Sequence, residues 1–432
     1  MKTSISSLCF SSLLFFMISC KNDRGRTVDK FFADSLIAHY TLPPSIKANE
    51  DEMQFWKGRI DPKLPGMVNE SRYASALVTR FQQFGDIQDV KMADSIMRKV
   101  SAEFNDKEPG PLLALVKYSI LQHRFTEANA FLEKARAAGL KKYESLTTSF
   151  DVDFELGRYA NAALGVKQLQ PEADYGYYFR KSKMEHLNGK MDSSIQAMLK
   201  AADLAESSAY LKGVALSNAA DLYIHAGELK KAKDLYVQCI KINSADYHSI
   251  LGLGWIALVY DKNDSLAAQL FQFVHSKNKL PDAVFKLYQM AESTGDSVLT
   301  ATYAKAFAAQ ATDTVYGNMY NKYLIEIYTG ILHEPAKAEA IAKKELLNRN
   351  TPQTNAWLVW SLLSSKKEIE AYNVFQANVS GKPLEGLELY WMGKLMQSGG
   401  KGYNAQEFFK EAYKNYYDLS PAIQMDLGKS LL

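Results

Sequence analysis

The clearest pattern in the chain is a pair of amphipathic segments separated by a glycine turn. In Ala215–Asp246, the first segment carries small and aromatic side chains at Leu216, Ala219, Ala220 and Tyr223. After Gly227, the second segment repeats the pattern at Ala232, Tyr236 and Cys239. Spacings of three and four residues place such positions on one face of an α-helix. The unit therefore predicts two helices whose backbones approach closely at the small residues, with aromatic rings filling the space beside the crossing.

The same unit recurs along most of the chain. Nine small residues occupy the position of Ala232, at intervals of 32 to 38 residues that average about 34.6: Ala128, Ala162, Ser194, Ala232, Ala267, Thr300, Ala338, Ala371 and Ala405. A period of about 34 residues with these offsets resembles the tetratricopeptide repeat. The resemblance implies an all-α fold, a superhelical solenoid of antiparallel helix pairs.

Turn and boundary residues divide the chain into segments. Glycines mark turns inside the units at Gly157, Gly189, Gly295 and Gly400, and prolines mark unit boundaries at Pro281, Pro352 and Pro383. We expect about nine to ten repeats over residues 72–416, and a lipid-anchor tether with N-terminal capping helices over residues 20–71. Residues 417–432 are predicted to form a C-terminal capping helix, with Ile423, Leu427 and Leu431 on one face.

The N-terminus carries an uncharged run, Leu8–Ile18, that is too short to span a bilayer and suits a signal peptide. The run ends in Met17-Ile18-Ser19-Cys20 and a polar stretch follows at once. This resembles the lipobox of bacterial lipoproteins, although Met17 stands where leucine is usual. The resemblance implies that residues 1–19 are a signal peptide and that Cys20 is lipidated. The alternative is an ordinary secretory signal with a chance cysteine.

The residues after Cys20 bear on localisation. Lys21 and Asn22 replace the aspartate associated with inner-membrane retention, and no dense acidic run of the kind linked to surface export is present. We therefore expect an outer-membrane lipoprotein of the cell envelope that faces the periplasm.

Composition and motifs argue against several classes of function. The 51 basic and 48 acidic side chains nearly balance, so we expect no nucleic-acid partner. Phosphate-binding and HExxH motifs are absent, and none of the seven histidines forms an i, i+4 pair. Apart from Cys9 and Cys20 there is only Cys239, whose spacing places it on an apolar helix face. We expect no enzyme activity, no cofactor and no metal site.

The remaining candidate surface is the concave groove that the repeat resemblance implies, lined by the first helix of each unit. Carrying one offset along the units, together with positions one turn away, gives Lys117, Asp151, Phe154, Phe179, Lys183, His186, Asp221, Phe285, Gln289, Glu326, Trp360, Tyr390 and Lys394. Each position also suits an ordinary solvated or half-buried side chain. Trp360 and Tyr390 are the favoured anchors, because large aromatic side chains bury much area on binding.

The combined pattern predicts a membrane-anchored scaffold that binds a partner protein or peptide in its groove. One alternative is a glycan-binding lipoprotein of an outer-membrane nutrient importer, although the regular spacing leaves no room for a large inserted sugar site. Another alternative is an envelope-protein assembly factor.

Overall fold

The computed structural model describes residues 25–63, 66–205, 207–399 and 404–432, and these residues form 23 α-helices and no strands. Two helices come first, α1 (Lys30–Ala38) and α2 (Pro44–Lys57). Units 1 to 5 are α3 (Val68–Phe84) with α4 (Ile87–Glu103), α5 (Pro109–Leu121) with α6 (Phe125–Ala137), α7 (Lys142–Glu155) with α8 (Tyr159–Leu169), α9 (Tyr175–Leu187) with α10 (Met191–Leu204), and α11 (Ala209–His225) with α12 (Leu229–Ile242).

Units 6 to 10 are α13 (Tyr247–Val259) with α14 (Asp264–Lys277), α15 (Asp282–Thr294) with α16 (Ser297–Ala311), α17 (Asn321–Thr329) with α18 (Pro335–Asn348), α19 (Pro352–Ser364) with α20 (Glu368–Asn378), and α21 (Gly386–Gln397) with α22 (Ala405–Lys414). The chain ends in α23 (Pro421–Leu431), and short 3₁₀ helices lie at Thr314–Tyr316 and Tyr416–Asp418. No helix among the described residues has the length and apolar character needed to cross a bilayer.

From α2 onward each helix packs on the next along the chain, which gives an all-α solenoid of antiparallel pairs. The turn inside nine of the units contains a residue in the left-handed region, with φ between 51° and 76°: Gly85, His123, Gly157, Gly189, Gly227, Lys262, Gly295, His333 and Lys366. Four of these nine residues are not glycine and still adopt the left-handed conformation, which costs energy for a residue with a Cβ. We infer that packing of the helix pair imposes the turn. Gly400, the turn glycine expected for the last unit, lies outside the described residues.

The small positions bring the helices of a pair together as the sequence predicts. Ala128, Ala162, Ala232 and Ala267 are fully buried, and the Cys239 side chain is buried on the apolar face of α12. Where Ser194 replaces alanine, its hydroxyl donates to the Ser182 carbonyl at 2.9 Å, and the Ser182 hydroxyl donates back to the Ser194 carbonyl at 2.8 Å. Each buried hydroxyl is satisfied by the backbone carbonyl of the other serine, so a polar residue is tolerated at this crossing.

In the first helix of unit 6, Gly254 occupies the position that Ala220 has in unit 5. Packing requires a glycine there, which predicts opposite effects for the same substitution at two sites. A Cβ on Gly254 would lie 2.5 Å from the buried ring of Phe271, whereas a Cβ on Gly213 meets nothing within 4 Å. We expect Gly254→Ala to destabilise the fold by about 2 kcal/mol through overpacking. Gly213→Ala should instead stabilise it by about 0.5–1 kcal/mol, because alanine favours helix. Urea unfolding measures the change in the free energy of unfolding for each variant. Changes of the same sign and size in both would contradict the steric explanation for Gly254.

The first two helices pack on different parts of the solenoid. Helix α2 packs on α3, the start of unit 1, whereas α1 lies against α14 of unit 6. The backbone N–H groups of Thr27 and Val28 each donate to the Asp261 carboxylate at 2.8 Å. The N-terminal segment is therefore held at the turn between α13 and α14.

The superhelix is tight enough for successive superhelical turns to touch. The turn of unit 1 meets the link after unit 6, where Lys279 N–H donates to the Phe84 carbonyl at 2.8 Å. The turn of unit 2 meets links after units 7 and 8, where Asn318 and Asn348 donate to the His123 carbonyl at 3.1 and 2.7 Å. These contacts join units about six apart and draw the concave side into a central cavity.

Candidate binding cavity

The central cavity has a volume of about 570 Å³ and lies inside the superhelix. First helices of units 4 to 8 form most of its wall, and the residues at the start of α21 and in the Tyr416–Asp418 3₁₀ helix close one side. Its charged and aromatic lining includes His186, Asp221, His225, His248, Trp255, Asp282, Phe285, Lys286, Lys322, Tyr323, Glu326, Glu385 and Asp418. Successive first helices can supply side chains to one space because they splay around the superhelix axis.

Asp221 is the centre of a hydrogen-bonded cluster. The Tyr236 hydroxyl donates to its Oδ1 at 2.5 Å, and His248 Nε2 lies 3.0 Å from its Oδ2. The His248 side chain is 60% accessible although helices surround it, because it faces the cavity. The charge of Asp221 outweighs the opposing effect of burial and raises the pKa of His248 to about 9.

This pair predicts a protonated histidine at neutral pH. In Asp221→Asn we expect the His248 pKa to fall by about 1 to 3 units, since the main opposite charge is removed while Asp246 and Asp282 remain. The pKa of His248 in the folded state lies above the unfolded value of about 6.5. The pair therefore contributes its full stabilisation of the fold below about pH 6.5. That contribution is lost as pH rises through about 9. Side-chain NMR titration, with His248→Gln to assign the signal, measures the shift. An unchanged pKa in the variant would refute the pairing.

A second group combines opposite charges with an aromatic ring. The Lys286 ammonium lies 3.5 Å from the ring centroid of Trp255, a cation–π distance, and donates to Gln289 at 3.2 Å. Burial lowers the pKa of Lys286 to about 8, against the attraction of Glu326 and Asp282. Burial and then the Glu292 carboxylate raise the pKa of Glu326 to about 8. Burial disfavours the charged form of each group, so the pKa values of this lysine and this carboxylate are displaced toward each other.

Helix α17 adds to the cavity wall an ion pair with a buried carboxylate and an aromatic ring that packs on Phe285. Lys322 Nζ lies 2.8 Å from Oε1 of Glu388, whose side chain is only 1% exposed. The Tyr323 ring, at 4.5 Å from that of Phe285, presents an accessible aromatic surface to the cavity. This wall offers a fixed positive charge beside a face on which a flat or apolar group can pack.

Two histidines and two carboxylates meet at the closed side. The His186 and His225 rings are 4.8 Å apart, and His225 Nε2 lies 3.8 Å from Glu385 Oε2. His225 Nδ1 bonds to the Asp418 carboxylate. Burial lowers the pKa of His186; burial acts the same way on His225, but Asp418 and Glu385 raise its pKa above the ordinary value. The pKa values of the two neighbouring rings are therefore shifted in opposite directions.

Of the side chains proposed from sequence for the groove, six line the cavity: Lys183, His186, Asp221, Phe285, Gln289 and Glu326. The other seven lie elsewhere. Lys117 is exposed on α5, Asp151 pairs with Arg180 at 2.5 Å, Phe154 stacks on Phe150, and Phe179 stacks on Tyr175. Trp360 donates to Thr329 and stacks on Trp391 at 5.5 Å, while Tyr390 and Lys394 both bond to Asp426.

Several cavity residues were missed although the sequence carried a signal for them. Trp255 occupies the offset of Asp221 and Gln289 in unit 6, 34 residues from each. His248 and Lys286 lie one or two helical turns before that offset, hence on the same face. Glu385 and Asp418 carried no such signal, because they arrive from the next superhelical turn.

The paired helices and their concave cavity define the class of fold, a solenoid of the tetratricopeptide-repeat type. A scan against models of known families gives no match. A search of the curated proteins gives none either. Among solved structures, the chain is similar to a tetratricopeptide repeat protein from Parabacteroides merdae, at 16% identity and TM-score 0.36, over 63% of this chain and 98% of that one. It is also similar to the Cut9–Hcn1 hetero-tetramer of the APC/C, at 14% identity and TM-score 0.46, over 88% of this chain and 68% of that one.

Proposed function

We propose that the protein is a lipid-anchored scaffold of the bacterial cell envelope that binds a peptide segment of a partner protein in the central cavity. The observation that carries the proposal is the cavity wall, where five consecutive first helices place charges of both signs beside aromatic rings. A volume of about 570 Å³ falls within the usual range for ligand pockets. It suits a chain terminus or a few side chains rather than a folded domain.

The anchor and the cavity fit together in one arrangement. Cys20 lies seven residues before Thr27, whose N–H is bonded to Asp261. Seven residues reach at most about 25 Å when extended. A lipid on Cys20 would therefore hold the turn between α13 and α14 close to the outer membrane, on the periplasmic side.

Site-specific photocrosslinking in cells tests the proposed binding site. A crosslinking amino acid at Tyr323, which faces the cavity, should capture a defined partner protein identifiable by mass spectrometry. The matched control places it at Ile369, which is 80% exposed on α20. Identical products from both positions would argue against binding in the cavity.

A glycan is the alternative ligand, and it must be distinguished from a peptide. Tyr323 offers an accessible ring on which a sugar could stack, so oligosaccharides are tested by calorimetry on the same preparation. Saturable sugar binding that Tyr323→Ala abolishes, without any crosslinked protein, would replace the peptide proposal with the importer alternative.

The anchor is tested separately from the cavity. Cys20→Ala should release the protein from the membrane to the soluble fraction, because the acylated residue is gone. Cys9→Ala is the control, since Cys9 belongs to the segment removed with the signal. Continued membrane association of Cys20→Ala would refute lipid anchoring and leave the cavity proposal standing.

A further inference from the structure

We propose that His186, His225 and Glu385 bind a divalent transition-metal ion, such as Zn²⁺, at the closed side of the central cavity. Each residue offers one ligand atom, and these atoms all lie within 4.8 Å of one another. Imidazole nitrogen and carboxylate oxygen are the donors that zinc takes in sites with two histidines and one carboxylate. The site goes beyond the proposed scaffold function and stands on its own geometry.

The three ligands come from distant parts of the chain. His186 is in the last turn of α9, His225 is the last residue of α11, and Glu385 immediately precedes α21. A tetrahedral site with bonds of about 2.1 Å needs ligand atoms roughly 3.4 Å apart. The ligand atoms must approach one another by at most about 1.4 Å to reach this spacing, and the Glu385 side chain, 43% exposed, has room to move.

Asp418 orients one ligand in the manner usual for metal-bound histidines. Its carboxylate takes the hydrogen of His225 Nδ1, which fixes the ring and leaves Nε2 toward Glu385. Carboxylate–histidine–metal arrangements use this bond to set the tautomer and to strengthen the nitrogen donor. A bare pair of histidines would lack this support.

Asn415 competes for the same nitrogen. Its Nδ2 lies 2.8 Å from His225 Nε2, so an ion must displace this amide. The three ligands and Asp418 all line the cavity, and a tetrahedral ion held by three protein atoms keeps a fourth position for a ligand atom there. The ion would also join units 4 and 5 to unit 10 across the superhelical contact.

Calorimetry with ZnCl₂ on the mature protein, purified without a polyhistidine tag and freed of metal, tests the site. We expect one zinc per chain. His186→Ala, His225→Ala and Glu385→Gln should each weaken binding by about 100-fold or more, and Asp418→Asn by about 10- to 100-fold. Asn415→Ala should bind at least as tightly as wild type, because the competing amide is removed.

Controls separate binding from folding. His275→Ala removes an exposed histidine on α14 and should leave zinc affinity unchanged. Circular dichroism checks that every variant is folded, and zinc should raise the Tm of wild type and of His275→Ala but not of His186→Ala. Cobalt absorption bands typical of a tetrahedral site should follow the same order. Absence of 1:1 zinc binding by folded wild type, or undiminished binding by Glu385→Gln and His186→Ala, would overturn the proposal.

Discussion

Replacing Arg349 with methionine is expected to lower the free energy of unfolding by about 4 kcal/mol. Arg349 Nε donates to Glu345 at 2.8 Å, and its Nη1 donates to Glu155 at 3.2 Å. Glu345 is fully buried, and Arg349 itself is only 16% exposed. Methionine retains much of the contact with Phe125 and Trp357 but leaves two carboxylates without this cation. Removing one partner from a buried ion pair costs more than the pair contributes, because a charge remains in a poorly hydrated site.

The loss should be larger at pH 8 than at pH 5. Burial raises the pKa of Glu345 even with Arg349 present, and removing the cation raises it further. A buried carboxyl with a raised pKa destabilises the fold where it is ionised, and proton uptake relieves this as pH falls. For Glu155, Lys183 and Arg349 together overcome burial and lower the pKa, so Arg349→Met removes stability that is present at high pH.

Urea unfolding at the two pH values measures the loss, with Arg136→Met as the matched control. Arg136 forms an exposed pair with Glu133, and such pairs contribute at most about 1 kcal/mol. Hydrogen exchange should also quicken in Arg349→Met at both the α7–α8 turn and the α18–α19 link, 194 residues apart at Glu155 and Arg349. Faster exchange at the link alone would contradict a clamp between superhelical turns.

Lys322→Met is expected to destabilise the protein by about 3 kcal/mol. Glu388 Oε1 accepts from Lys322 and from the Trp357 indole N–H, each at 2.8 Å. Its other oxygen, Oε2, has no partner among the described residues. The variant leaves a buried carboxylate with a single hydrogen bond. The expected loss is smaller than for Arg349→Met because Lys322 is 28% exposed to the cavity, from which water can reach the carboxylate.

A double-mutant cycle isolates this pair. Glu388→Gln on top of Lys322→Met removes the charge and keeps an acceptor for Trp357, so most of the lost stability should return. Lys414→Met, which breaks the exposed pair with Glu411, should change stability by less than about 0.5 kcal/mol. Additive effects of Lys322→Met and Glu388→Gln on the free energy of unfolding would show that the two side chains do not interact.

The cavity shows how far an offset rule reaches along a repeat chain. Asp221, Gln289 and Glu326 lie on the corresponding faces of three different first helices and all line the cavity. Each unit repeats the same local geometry, so the position in one unit predicts the position in the next. Trp360 and Tyr390 satisfy the same rule but bond within the fold, to Thr329 and Asp426. The offset of these two residues predicts which face of the helix they occupy. It does not predict which side chains of the fold they contact on that face.

The sequence by itself determined the helices, their pairing and the concave face, because these depend on contacts between residues a few positions or one unit apart. Only the tertiary structure decided that α1 lies against α14, that Arg349 reaches Glu155, and that His186 and His225 meet Glu385. Those contacts depend on the small rotation between successive units, summed over about six of them. The period of the sequence is enough to predict each helix pair. Side-chain packing sets the rotation between neighbouring pairs, and the sum of these rotations decides which distant pair a given pair contacts.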